Sequence, residues 1–94
     1  MKPNADPKRS RRAAIVNPLG LHARCAAKIA KVAQLAKHKV WISFDGERVD
    51  AASVIDILTL GCQKGAVISV TVESAADAVI LQQIIDLVES GFGE

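Results

Sequence analysis

The chain has 94 residues, half of them hydrophobic, with three aromatics and a net charge of +2. That aliphatic content excludes a disordered chain, and the short length excludes more than one domain or an enzyme with its own deep pocket. The charge is uneven: residues 1–12 hold five basic groups and one acidic, residues 13–94 seven basic and nine acidic. Residues 1–10 therefore read as a basic leader, and residues 11–94 as a mildly acidic folded domain. A basic arm suits nucleic acid or anionic lipid. Three aromatics give no base-stacking surface, so no nucleic-acid partner is expected. Cys25 and Cys62 are too few for a disulfide scaffold, which places the chain in a reducing cytoplasm. No apolar run of 18 residues exists, and membrane insertion is not expected.

In chain order, Ala13-Ala14-Ile15-Val16, entered through Arg11-Arg12, predicts a first strand bounded by Asn17-Pro18 and Gly20. Residues 23–36 are rich in Ala, Lys and Leu and predict a helix with a small-residue inner face. Residues 39–44 read as a strand, Asp45-Gly46 as a tight hairpin turn and residues 47–50 as the returning strand. Ser53 to Leu60 predicts a short helix stopped by Gly61. Residues 66–73 alternate as a strand, and a last helix runs from Ser74 or Ala75 to about Glu89. The order β-α-β-β-α-β-α predicts an α+β fold: an open-faced two-layer sandwich, four mainly antiparallel strands covered on one face by three helices.

The chemistry concentrates in Asn17-Pro18-Leu19-Gly20-Leu21-His22-Ala23-Arg24. A Pro/Gly loop places His22 where a helix begins, among backbone N–H groups that have no helical partner. An anion carried on His22 meets those donors, and Arg24 can fork onto its oxygens. The helix dipole and Arg24 both disfavour an imidazolium, so a neutral, nucleophilic His22 is expected. These features suit a histidine that accepts a phosphoryl group and releases it, a reaction that needs mostly positioning and charge stabilisation. By spacing alone, a lone histidine at a helix start is more often a plain cap or surface residue.

Gly20-Leu21-His22-Ala23-Arg24 resembles the active-site motif of HPr, the histidine-containing phosphocarrier of the bacterial phosphotransferase system. The likeness continues through Ala26-Ala27, Asp50 to Ile55, Leu60-Gly61 and Lys64-Gly65, and so spans the domain. It implies that His22 is phosphorylated on Nδ1 by enzyme I, with phosphoenolpyruvate as original donor. An EIIA-type acceptor would receive the group, and Arg24 would neutralise it. The carrier would be a monomeric stoichiometric substrate, not an enzyme, and would use no cofactor. The docking face would include Leu21, Lys28, Lys31, Val54, Ile55 and Leu58, with the lysines steering acidic partners. Ser53 matches the regulatory serine phosphorylated by HPr kinase/phosphorylase in some bacteria; unmodified, it is an N-cap.

Several residues depart from the pattern. Cys25 stands where the family usually has proline; a thiol beside positive groups is expected to have a lowered pKa, which would make it a redox-sensitive site beside His22, while the more common reading is a small substitute in a helix turn. Leu19 replaces a commonly polar loop residue. Ser90 to Glu94 resembles the end of nitrogen-related, regulatory HPr paralogues, and the basic leader has no counterpart in a typical HPr. His22, Cys25, Cys62 and His38 lack the paired spacing of a zinc motif, so no metal is expected. His38 reads as a solvated turn residue. The rival reading is a regulator acting only by protein contact through the face around Ser53. Family members of that kind lose the active histidine, which this chain keeps.

Overall fold

The computed structural model describes residues 9–94; residues 1–8, most of the expected basic leader, lie outside the described residues. Four strands, β1 (Ser10–Ala14), β2 (Val40–Phe44), β3 (Glu47–Asp50) and β4 (Val67–Val72), form one sheet in the order β1-β4-β2-β3. All three pairings are antiparallel, so the sheet has no parallel pair. Helices α1 (Ala23–Ala33), α2 (Val54–Thr59) and α3 (Ala78–Glu89) complete the expected element order.

Alternation sets the two faces of the sheet. Val40 and Ile42 of β2 and Ile68, Val70 and Val72 of β4 are buried, while Trp41, Ser43, Ser69 and Thr71 remain partly exposed. Against the buried face lie Ala26, Ile29, Ala30 and Ala33 of α1, and Leu81, Ile84, Ile85 and Val88 of α3. Alanine dominates the inner face of α1, so that helix seats its backbone close to the sheet. Ile57 is the one buried residue within α2. On the other side of the sheet the Arg48 guanidinium lies 4.1 Å from the centre of the Trp41 ring. Trp41 Nε1 donates to Glu73 Oε2 at 2.9 Å.

The β2–β3 turn uses Asp45 and Gly46 at φ 52° and 83°. Both lie in the left-handed region, as a two-residue hairpin whose twist matches its strands requires. Several element boundaries differ from expectation, most clearly those of β1, the end of α1 and the start of α3. β1 begins at Ser10, inside the stretch assigned to the leader, and pairs Ser10 with Thr71; Arg9 already accepts a hydrogen bond from Val72 N. That strand also ends at Ala14, leaving Val16 exposed.

Helix α1 stops at Ala33, three residues short of the expected end. Leu35 N and Ala36 N bond to the carbonyls of Val32 and Ala33, a tightened final turn. The buried Asp77 then takes the backbone N–H groups of Lys37 and His38 at 2.9 Å each, which turns the chain toward β2. Those bonds, with Lys37 N the larger influence, hold the Asp77 carboxyl below its ordinary value. Asp77 itself ends a single 3₁₀ turn, Ala75–Asp77, that precedes α3. No helix among the described residues is long and apolar enough to cross a membrane.

Candidate functional site

The loop before α1 is fixed by bonds that the sequence specifies closely. Gly20 N donates to Asn17 O, and the buried Asn17 side chain donates through Nδ2 to Gly20 O at 2.5 Å. Leu21 N donates to Cys62 O at 2.9 Å, which ties the loop to the segment after α2. Gly20 has φ +71°, and a Cβ there would stand 2.6 Å from Cys62 O. Only glycine meets both demands.

His22 is the N-cap of α1, with extended backbone at φ −86° and ψ −178°. Its Nδ1 accepts from Arg24 N at 3.3 Å, satisfying one of the unpartnered N–H groups of the first turn. Because Arg24 N is a donor, Nδ1 carries a lone pair and the proton of a neutral ring resides on Nε2. Nε2 faces Glu94 Oε1 at 2.9 Å. The other Glu94 oxygen, Oε2, accepts from Arg24 Nε at 2.7 Å. One carboxylate thus bridges His22 and Arg24, taking the Nε2 side of the ring and the guanidinium while Nδ1 stays turned to the start of α1. Its pKa is lowered to about 2, first by the bond from Arg24 and then by the contact with His22.

Sequence reading assigned Glu94 no role. The signal for it was Phe92, a large apolar side chain near the end of an aromatic-poor chain. Phe92 is buried and adopts φ 61°, which folds the tail Gly91–Gly93 back onto the domain. Lys28 Nζ donates to Phe92 O at 2.6 Å and holds the tail against α1. Lys28 is therefore committed within the chain, while Lys31 is exposed on the same helix.

Cys25 requires a correction. Its side chain is fully buried, with Sγ 3.3 Å from His22 Nε2 and 3.5 Å from Asn17 Nδ2. Burial, reinforced by the nearby Glu94 charge, raises the thiol above its ordinary value. The lowering by the His22 backbone bond and by the nearby Lys28 and Arg24 charges is the smaller effect. Cys62 is also buried, and burial raises its thiol as well. The donors that converge among the described residues are His22, Cys25 and Glu94, within 4.8 Å of one another; Cys62 and His38 are not among them. His38 is exposed on the turn after α1.

The expected docking residues divide. Ile55 and Leu58 are exposed on α2, and Val54 is partly buried. Leu21 is 5% exposed and belongs to the core, which corrects its placement on an outer face. The Leu21 N–Cys62 O bond holds the backbone there while the side chain packs inward. Ser53 caps α2, its Oγ accepting from Asp56 N at 3.2 Å. Leu19 is exposed, and it is Asn17 that supplies the loop's side-chain bond to backbone.

Comparison with known proteins places this geometry in a family. Residues 9–90 match the family model described as the PTS HPr component phosphorylation site. Phosphocarrier protein HPr of Neisseria meningitidis is 35% identical over 80 residues, covering 85% of this chain and 90% of that protein. Its namesake in Chlamydia pneumoniae is 36% identical over 80 residues, covering 85% and 74%. Among solved structures, HPr-C-His from Thermoanaerobacter tengcongensis superposes with a TM-score of 0.84 at 33% identity, covering 90% of this chain and 96% of that one. HPr from Bacillus anthracis superposes at 0.77 with 28% identity, covering 84% and 94%. With the same fold, and with a phosphorylation-site model that spans the loop, its histidine and the sheet behind them, the chain belongs to the HPr family of phosphotransferase-system phosphocarriers.

Proposed function

We propose that this chain is a stoichiometric phosphocarrier that accepts a phosphoryl group on Nδ1 of His22 and passes it on. Enzyme I, charged by phosphoenolpyruvate, is the donor, and an EIIA-type protein is the acceptor. The observation that carries this reading is the His22 ring itself. Its Nδ1 lone pair points at the start of α1, beside Arg24, while Nε2 is held by Glu94.

In the transfer, the Nδ1 lone pair attacks phosphorus and the bond from phosphorus to the donor breaks. The incoming group replaces the weak bond from Arg24 N and meets the helix N-terminus. Glu94 now repels a dianion at the same place, so Arg24 exchanges the carboxylate for phosphoryl oxygens. No further catalytic group is required from this chain, because donor and acceptor supply the rest.

Docking uses the exposed Ile55 and Leu58 with Val54 at their margin, and Lys31 steers acidic partners. Ser53 is a regulatory phosphorylation site for HPr kinase/phosphorylase in this reading. Phosphate there adds about two negative charges beside the apolar docking residues and disfavours enzyme I. The domain works as a cytoplasmic monomer behind a separate basic leader.

Incubation with enzyme I and phosphoenolpyruvate tests the reading. Wild type gains acid-labile phosphate and surrenders it to EIIA, and His22→Ala gains none. Incorporation that persists in His22→Ala sinks the proposal. For Ser53, a matched kinase gives acid-stable phosphate that Ser53→Ala lacks; wild type left unlabelled removes the regulatory role.

A further inference from the structure

The side chains around His22 also satisfy a requirement that phosphoryl transfer does not impose. Three different donor types meet there from three chain segments: imidazole from the loop, thiol from the first turn of α1 and carboxylate from the tail. His22 Nε2 lies 3.3 Å from Cys25 Sγ and 2.9 Å from Glu94 Oε1, and all three donors fall within 4.8 Å. Zinc holds nitrogen and oxygen at about 2.0–2.2 Å and sulfur at about 2.3 Å in a tetrahedron, so its ligands stand roughly 3.3–3.7 Å apart. The nitrogen–sulfur edge already has that length. The nitrogen–oxygen edge must open by a few tenths of an ångström and the sulfur–oxygen edge, at most 4.8 Å, must settle to tetrahedral length, both by rotation of the Glu94 side chain.

We propose that His22 Nε2, Cys25 Sγ and the Glu94 carboxylate form a three-ligand site for a zinc-like, borderline-soft divalent cation, with the fourth position open to solvent. Imidazole, thiolate and carboxylate together select zinc over magnesium or calcium, which take oxygen ligands. Two anionic ligands neutralise the ion, which offsets the positive start of α1 and Arg24. Arg24 has a side chain 69% exposed and is able to swing off Glu94 into water. Asn17 Nδ2, 3.5 Å from Cys25 Sγ, is placed to orient the bound sulfur. The sequence reading expected no metal because it sought paired spacings and gave Glu94 no part.

The proton balance gives the site a consequence. Coordination sends the Cys25 thiol proton to solvent and moves the His22 ring proton from Nε2 to Nδ1, which breaks the 3.3 Å bond that Nδ1 accepts from Arg24 N. A protonated Nδ1 has no lone pair with which to attack phosphorus. Bound metal and phosphoryl acceptance therefore exclude each other, a regulation that rests on the phosphocarrier reading above.

The full chain, stripped of metal, is titrated with cobalt(II) as the probe. One equivalent is expected to give a thiolate-to-cobalt charge-transfer band and intense tetrahedral d–d bands. Cys25→Ser loses the charge-transfer band; His22→Gln and Glu94→Gln bind about tenfold more weakly or worse; Cys62→Ala and His38→Ala are unaffected. Glu94→Gln lies outside the buried core and keeps the test decisive if a buried-cysteine variant fails to fold. Absence of the thiolate band, its survival in Cys25→Ser, or full affinity in Glu94→Gln overturns the site.

In a single turnover from pre-phosphorylated enzyme I, zinc is expected to slow phosphorylation of wild type, and to slow Glu94→Gln, each against its own metal-free rate, only at about tenfold higher zinc. Equal slowing of both variants at each zinc concentration, or none in a wild type that binds cobalt, overturns the exclusion. A metal-free wild type that takes up no phosphate counts against the phosphocarrier reading alone and leaves the metal site standing.

Discussion

At His22, two neighbours divide the ring between them. Arg24 N leaves the lone pair on Nδ1, and Glu94 holds Nε2. Arg24 contributes twice, through its backbone to the cap and through its guanidinium to the anion. Replacing Arg24 by Ala keeps the backbone contact and removes the guanidinium, so phosphorylation by enzyme I is predicted to slow about tenfold or more. Thermal unfolding should barely change, because the side chain is exposed; steady-state and melting measurements separate the two. Asp77 gives the opposite pattern. In Asp77→Asn one of the two backbone N–H groups of Lys37 and His38 loses its acceptor, at a cost of about 1–3 kcal/mol with transfer chemistry intact. Since folding lowers the Asp77 pKa from 3.8, its contribution is complete above that value and is lost as pH falls through the folded pKa. Denaturant melts of wild type and Asp77→Asn should therefore converge in acid. His22 and Arg24 were legible as candidate residues because their chemistry is local to five consecutive positions. Glu94 was not, since its contact with His22 crosses 72 positions and depends on how Phe92 buries itself. Cys25 misled for a related reason: the positive neighbours are visible in sequence, but the burial that outweighs them is not.

Among the elements, those with strong alternation or clear stops were readable. The β2–β3 hairpin follows from Asp45-Gly46 between two strand-forming runs, and its residues pair as the turn dictates. The end of α1 was not readable, because residues 34–36 continue the helical composition and the chain is turned by a carboxylate forty residues away. The same holds for β1, whose start at Ser10 is set by pairing with Thr71 and not by its own composition. The loop ahead of α1 is the element on which the site depends. A Cβ at Gly20 meets backbone on Cys62 and a left-handed φ at once. Gly20→Ala is predicted to cost more than about 2 kcal/mol in denaturant unfolding. Because the loop sets His22, transfer should fall as well in the fraction that remains folded. A melt indistinguishable from wild type would contradict the tight loop packing.

As a whole molecule, the chain places the groups proposed to carry phosphate, His22 and Arg24, at the start of one helix, with the sheet behind them. Small size and few aromatics excluded a deep pocket, and a carrier has no need of one, since its partners complete the reaction. The net charge of +2 described no single surface: the domain is acidic, and of the basic groups proposed to work beside His22, Lys28 is tied to the tail while Arg24 and Lys31 are exposed. The tail closes the site with a carboxylate, so the resting molecule already presents an anion to the groups proposed to bind phosphate. The measurement that tests the central claim most directly is nitrogen and phosphorus NMR of the ring after charging by enzyme I. The account predicts a single phosphohistidine at His22, bonded through Nδ1, with Nε2 bearing the proton. Phosphate on Nε2, or on no ring nitrogen of His22, would contradict it.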